Sequence, residues 1–286
     1  MIQVAFVTYQ ESPDITADDL LVVDLLRSEG ISVVSAPWDD PAVEWPRFSC
    51  VVIRSPWNYY HKPDRYAEWL RSCETAGINL WNPARMVLAN INKRYLADLA
   101  KQGIEIVPLE YLPAGNRRPL RQILETRGWN EAVVKPVISA GAHQTWRTSL
   151  TQADGDQARF EEQCRITETL VQPFMEEIVS EGEWSLVFFA GQYSHAVIKR
   201  PAAGDFRVQH QHGGHYQSGN PSPELIAQAR NILSKVDSPL LYARVDGVVR
   251  DGRFLLMELE INEPFLFLGF SPEAPSRFAQ AILGVL

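Results

Sequence analysis

Cysteine is scarce: 286 residues carry three, Cys50, Cys73 and Cys164, odd in number and far apart. That excludes a disulfide-stapled scaffold and leaves no cysteine spacing suited to zinc. No apolar run approaches the ~18–20 residues of a membrane-spanning helix. The opening Met1–Val7 has no basic stretch of the kind a secretory leader carries, so a cytoplasmic location is expected. Positive charge is in deficit as well. With 27 Lys and Arg against 35 Asp and Glu, the formal charge is −8, the wrong sign for gripping nucleic acid. Internal repeats and low-complexity tracts are missing, which sets aside solenoids and tails. The expected partner is a small molecule, not nucleic acid or membrane, and the assembly state, homodimer included, stays open.

What is there begins with Phe254–Asn262, Phe-Leu-Leu-Met-Glu-Leu-Glu-Ile-Asn. Read as a strand, it puts Leu255, Met257, Leu259 and Ile261 on one face and Glu258, Glu260 and Asn262 on the other. Two carboxylates and an amide side by side need something positive among them. A hard divalent cation with oxygen ligands answers that need, and Mg²⁺ most often arrives with nucleotide phosphates. Just upstream, Tyr242–Val249 presents Arg244 and Asp246 on one face by the same alternation. A metal–phosphate floor and a plain solvent-facing sheet fit this periodicity equally well.

The N-terminal third alternates strand and helix. Strands are expected at Val4–Thr8, Ile31–Ser35 and Cys50–Ser55, with helices at Asp18–Ser28 and Tyr66–Ala76 closed by Gly30 and Gly77. This predicts an α/β fold with a parallel sheet, whose ligands gather at the carboxyl ends of the strands. Arg54, Trp57 and Asn58 fall at such an end, where either substrate contact or aromatic packing explains them. Further on, helices are expected at 93–102, 120–127, 161–168 and 224–235. Strands are expected at 104–109, 132–135, 169–172, 184–190, 193–199, 242–249 and 253–262, and a loop at 151–156, so the C-terminal part reads as α+β. The turn Trp81–Pro83 closes a first domain over 1–85; 86–170 and 171–286 make two further units.

Three more segments hold chemistry-bearing residues. In Val133–Ala142, Lys135 ends a strand ahead of a small-residue loop with Ser139 and Gly141, where backbone N–H groups and an ammonium can approach phosphate. It is not a Walker A loop, which needs Gly-Lys-Ser/Thr at a helix start. Leu170–Met175 is an apolar strand running into acids, suited to a flat purine along Gln172, Pro173, Phe174 and Met175. Lys199–Gly214 concentrates Lys199, Arg200, Arg207 and three glycines in a loop too long for a hairpin. His210, His212 and His215 lie nearby, but no cysteine or spaced acid joins them as a metal set.

In this order the segments resemble the ATP-grasp superfamily, in its glutathione-synthetase-like branch. The likeness runs from a lysine opening a helix (Lys93) through Lys135 and the Gln-Pro-Phe hinge to the Gly204–Gly214 loop and the Asp…Glu-x-Asn finish. Gln209 stands where asparagine is usual, and Glu263-Pro264 follows Asn262 where a longer small-residue loop is usual. The Arg54–Tyr59, Lys135–Ala142 and Tyr242–Gly247 segments are similar to a smaller group that includes the cyclo-ligase closing O-ureido-serine into cycloserine.

The resemblance implies an ATP-grasp fold behind an N-terminal parallel-sheet domain. It implies ATP as cosubstrate, with one or two Mg²⁺ (or Mn²⁺) ions held by Asp246, Glu260 and Asn262. Lys93 and Lys135 would hold phosphates, with Ser139 and Gly141 in the loop above. Gln172, Pro173, Phe174 and Met175 would flank adenine, and Glu183, with Glu176 the rival, would bind ribose. Arg207, Lys199 and Arg244 would serve catalysis, and Arg54, Trp57 and Asn58 the substrate. The implied reaction is ligation of a carboxylate, activated as an acyl phosphate, to an amine-type nucleophile, within one small amino-acid-like molecule or, as in peptide and glutathione ligases, between two. A kinase on the same scaffold and a module that only binds ATP are the competing readings. A glycosidase pair at Glu258 and Glu260 fails, because neighbours on one strand face cannot flank a scissile bond.

Overall fold

A computed structural model describes residues 2–286. Among them, strands form three sheets. The first is parallel, built from β1 (Ile2–Thr8), β2 (Ile31–Pro37), β3 (Cys50–Ile53) and β4 (Leu80–Trp81) in the order β2-β1-β3-β4. The second is antiparallel: β5 (Glu110–Leu112), β6 (Glu131–Pro136), β7 (Trp146–Ser149) and β8 (Thr169–Pro173) in the order β5-β8-β6-β7. The third holds β9 (Glu183–Phe189), β10 (Gln192–Arg200), β11 (His215–Gly219), β12 (Tyr242–Arg250) and β13 (Arg253–Glu260), ordered β11-β10-β9-β12-β13. Since β8 pairs with β5 and β6, residues through Pro173 belong with the second sheet. No helix among the described residues is long and apolar enough to cross a membrane.

β1 shows why a continuous apolar run marks a strand covered on both sides. Val4 and Phe6 pack with Val22, Val23 and Leu26 of the helix Ala17–Ser28, and with Phe278 near the C-terminus. Ala5 and Val7 face the opposite layer, with Trp38, Tyr66 and Leu70. The first cluster also holds Val187, Phe189 and Tyr242, so the parallel sheet and the third sheet share one core.

Several segments depart from the sequence expectation. The run 104–109 is not a strand: it makes one bridge, Ile106 with Leu256, and Pro108 then has no N–H to extend the ladder. The polar run 151–156 is not a loop but opens the helix Ala153–Ile166, where Ala153 is buried and Asp154 and Asp156 suit the first turn. The helix expected from Lys93 begins at Tyr95, leaving Lys93 free to donate its backbone N–H to Val137 O (3.2 Å). β7, β11 and the helices Ala84–Asn90 and Ala274–Leu283 had no clear signal.

Beyond β13 the chain is irregular, yet six successive carbonyls are each met by a side-chain donor from another part of the molecule. Asn82 donates to Ile261 O (2.6 Å), Tyr242 to Asn262 O (2.8 Å) and Trp57 to Glu263 O (3.2 Å). Arg54 donates to Pro264 O (3.0 Å) and Arg244 to Phe265 O (2.9 Å), and His195 Nε2 lies 2.9 Å from Leu266 O. Buried carbonyls need partners, and here side chains replace a ladder. The segment 261–266 is thus fixed from three sides.

His195 needs Nε2–H for this bond, and Nδ1 then accepts from Ser194 Oγ (2.9 Å). Burial lowers its pKa to about 4 from 6.5. The folded imidazole stays neutral where the unfolded one is protonated, so stability falls as pH drops from about 6.5 to about 4. This group contributes at most about 3 kcal/mol to that loss. Melting curves should show the gap between wild type and His195→Asn shrinking across that window; a constant gap contradicts the assignment.

Candidate active site

The three sheets enclose a cleft of about 830 Å³. Its floor is a row of charges fixed by strand register. Lys199 on β10 lies opposite Glu183 on β9; Ser185 on β9 lies opposite Asp246 on β12; Asp246 and Arg244 lie opposite Glu258 and Glu260 on β13. Lys199 with Glu183 and Arg244 with Glu260 put opposite charges on facing positions, which stabilises a sheet, whereas Asp246 and Glu258 face each other as like charges and depend on neighbouring cations. Lys199 Nζ reaches Glu183 (2.6 Å) and Asp246 (3.0 Å), and Ser185 Oγ donates to Asp246 (2.7 Å). One nitrogen of Arg244, Nη2, touches both Asp246 (2.8 Å) and Glu260 (2.5 Å). The two expected metal ligands therefore converge on one point.

The alternation expected along 254–262 is broken by a β-bulge. Asp246 pairs with Glu258 but Gly247 with Leu256, so Met257 is the extra residue. Phe254, Leu256, Leu259 and Ile261 face one core, whereas Leu255 and Met257 turn toward the cleft side with the acids. The bulge needs Gly247, because a Cβ there would meet Leu255 O at 2.3 Å. The acids and an apolar surface thereby share one face.

Electrostatics divides the acids. Burial disfavours the charge on Asp246, but Arg244 and Lys199 outweigh it and hold the pKa at about 2. Burial likewise opposes the charge on Glu258, and Lys135 (2.8 Å away) and Lys93 bring it to about 2. Burial pushes Glu260 up to about 7, reinforced by Asp246 and Glu258 against Arg244. Burial and Glu260 push Glu263 up to about 8. The protein's own cations satisfy the first pair and leave the second short of positive charge. No group of three His, Cys, Asp or Glu among the described residues forms a cage for an ion. Mg²⁺ needs none, since it keeps several waters and binds through one or two carboxylates plus phosphate oxygens. Asp246, Glu260 and Asn262 fit that donor set. Asn262 Oδ1 accepts from Tyr66 (2.7 Å), and its Nδ2 is buried without a partner.

Opposite the floor, Lys93 Nζ donates to Ser139 O (2.9 Å), and Ser139, Gly141, Lys93 and Lys135 all line the cleft. Gln172, Pro173 and Met175 line it too, with an apolar slot of Val107, Val133, Ile178 and Met257. Gln172 Nε2 is buried and unpartnered there. Phe174 is turned away, its ring under the Arg147 guanidinium at 3.6 Å. Glu183 lies in the cleft, while Glu176 is on an exposed turn. Arg207 lines the cleft from its loop and pairs with Asp205 (2.8 Å). That bond holds the Asp205 carboxyl well below the usual range. Of the histidines, His210 lines the cleft, and His212 and His215 do not.

The N-terminal candidates separate. Trp57 lines the cleft. Arg54 does not: it is buried, paired with Asp19 (2.9 Å), and holds Pro264 O. Asn58 is also away from the cleft, bonded to Trp38 (2.8 Å) and Asp39 (3.0 Å). Instead Tyr9, Tyr59 and Tyr60 complete that wall, with Glu263, Phe265 and Phe270 facing them. Sequence reasoning passed over Tyr9, whose signal was its place just past the carboxyl end of β1, and the phenylalanines, whose signal was their closeness to Asn262.

The small-residue loop is latched to the glycine-rich one, Gln211 Nε2 donating to Gly141 O (2.8 Å). Gly141 has φ +58°, and a Cβ there would meet Gln211 Nε2 at 2.9 Å. Gly141→Ala should strain the loop by about 1–2 kcal/mol and raise the KM for ATP by up to roughly tenfold, the factor that 1.4 kcal/mol carries. Unchanged nucleotide kinetics would show that this latch does not bear on the cleft.

Residues 4–82 match the family model described as D-cycloserine synthetase DcsG, N-terminal domain. The cycloserine biosynthesis protein DcsG of Streptomyces lavendulae is 33% identical over 298 residues, covering 97% of this chain and 97% of that protein. The crystal structure of D-cycloserine synthetase DcsG superposes with TM-score 0.89 at 29% identity, over 99% of each chain. The ATP-grasp ligase PsnB, solved with a minimal precursor, has TM-score 0.69 at 18% identity over 100% of this chain and 99% of that one, a likeness of fold.

Proposed function

The chain belongs to the cycloserine-synthetase family of ATP-grasp ligases, ATP-dependent enzymes, and from that membership we propose that it activates the carboxylate of a small amino-acid-like molecule and joins it to an amine-type nucleophile, in the same molecule or another. The observation that carries this is the convergence of Asp246, Glu260 and Arg244 on one point of a cleft whose other wall offers Lys93, Lys135 and the unpartnered Gln172 amide.

The chemical obstacle is charge, because a carboxylate must attack a polyanion. Lys93, Lys135 and Arg207 would draw charge from the phosphates as the substrate oxygen bonds to the γ-phosphorus and the bond to ADP breaks. Mg²⁺, held by Asp246, Glu260 and Asn262, would supply further neutralisation. The nitrogen then attacks the acyl carbon, loses its proton, and phosphate leaves with the C–O bond. Lys199 and Arg244 keep Asp246 ionised beneath this centre, and Glu183 would meet the ribose. Positioning supplies the rest, with no dedicated base.

A phosphate-release screen with ATP, Mg²⁺ and small amino acids, O-ureido-D-serine included, tests the proposal. ADP and free phosphate should appear together, dependent on the amino acid, with an amide-type product by mass spectrometry. A product that retains the phosphate would make this a kinase, and no amino-acid dependence would end the ligase reading.

A further inference from the structure

Five carboxylates line the cleft, and four have a lysine or arginine within ion-pair distance: Glu183, Asp246, Glu258 and Glu260. Glu263, among the described residues, has none. Its carboxyl lies beside the Tyr59 hydroxyl, and Trp57, Tyr9 and Tyr60 line the cleft on that side. We infer that Glu263 receives the ammonium group of the substrate, and that this wall is an ammonium-recognition subsite. The inference rests on the ligase reading above.

Three features support it. An enclosed carboxylate without a cation is costly, and the folded chain supplies no cation of its own at this position. The surrounding rings suit a cation, which is attracted to aromatic faces. Third, the backbone that carries Glu263 is pinned. Its own carbonyl is held by Trp57 and the next two by Arg54 and Arg244, and the preceding two by Asn82 and Tyr242. Such a clamp fixes a functional side chain through its backbone. It also gives Arg54 a positioning role in place of substrate contact.

The test is calorimetric titration of the enzyme loaded with a non-hydrolysable ATP analogue and Mg²⁺. The probes are O-ureido-D-serine, D-serine and D-alanine, each against its des-amino acid. Wild type should prefer the amino acids by roughly 10²-fold, the range for one partner lost from an enclosed, hydrogen-bonded charge pair. Glu263→Gln should lose that preference while binding ADP and Mg²⁺ as before, a readout that also shows the variant folds. Des-amino acids that bind wild type as tightly as amino acids overturn the subsite. So does a Glu263→Gln variant that discriminates like wild type, or one whose change lies in Mg²⁺ affinity. Failure of every acid to support phosphate release, by contrast, overturns the ligase reading itself.

Discussion

Replacing Asp246 with alanine is expected to destabilise the fold by about 3–5 kcal/mol, the cost of removing one member of an enclosed charge cluster. The carboxylate is 2% exposed and takes hydrogen bonds from Ser185, Lys199 and Arg244. Without it, Lys199 keeps Glu183 and Arg244 keeps Glu260, so neither cation is wholly orphaned and the lower part of that range is favoured. A fall in melting midpoint on the order of 10 °C should follow. Asp246→Asn separates shape from charge: it keeps the volume and the Ser185 contact but removes the negative charge that Lys199 and Arg244 share. A midpoint within about 2 °C of wild type for both variants would mean the row is not the structural unit its register indicates. Nucleotide turnover should be lost in both, since the expected metal loses a ligand.

Arg207→Ala is expected to lower kcat by roughly 10²–10³, the scale on which a single donor aimed at developing charge acts, while the KM for ATP moves by less than about threefold. Arg207 is a cleft cation carried on a loop, outside the floor row. Its ion-pair partner, Asp205, lies two residues away in its own loop, so it can swing toward a phosphate without unbuilding a sheet. Lys199 and Arg244 cannot, each being buried among acids that raise its pKa against the cost of burial. Arg207→Lys should recover part of the loss, because a point charge replaces a planar fork. A wild-type rate for the alanine variant would remove Arg207 from the mechanism.

Local pattern made much of this molecule legible. The run Val4–Val7 announced a strand covered on both faces, and the helix Leu120–Arg127 lies where its apolar spacing put it. Glu258, Glu260 and Asn262 do share the cleft side. What local pattern could not carry was cross-strand information. The bulge at Met257 depends on how β12 pairs with β13, and no alternation within one strand reveals it. Arg54 read as a free cation because Asp19, 35 residues earlier, is its partner only in the fold. Asn58 read as a substrate contact because Trp38 and Asp39 close over it only in three dimensions. The apolar slot is assembled from Val107, Val133, Ile178 and Met257, each of which alone is an ordinary core residue. The six pinned carbonyls were equally invisible, since their donors come from residues 54 to 244.

A crystal structure of the enzyme with a non-hydrolysable ATP analogue and Mg²⁺ tests the central claim most directly. The account predicts adenine between Gln172 and Met257, phosphates against Lys93 and Lys135, and a metal about 2.0–2.1 Å from oxygens of Glu260 and Asp246. A nucleotide bound outside this cleft, or a metal seated on neither carboxylate, would contradict it.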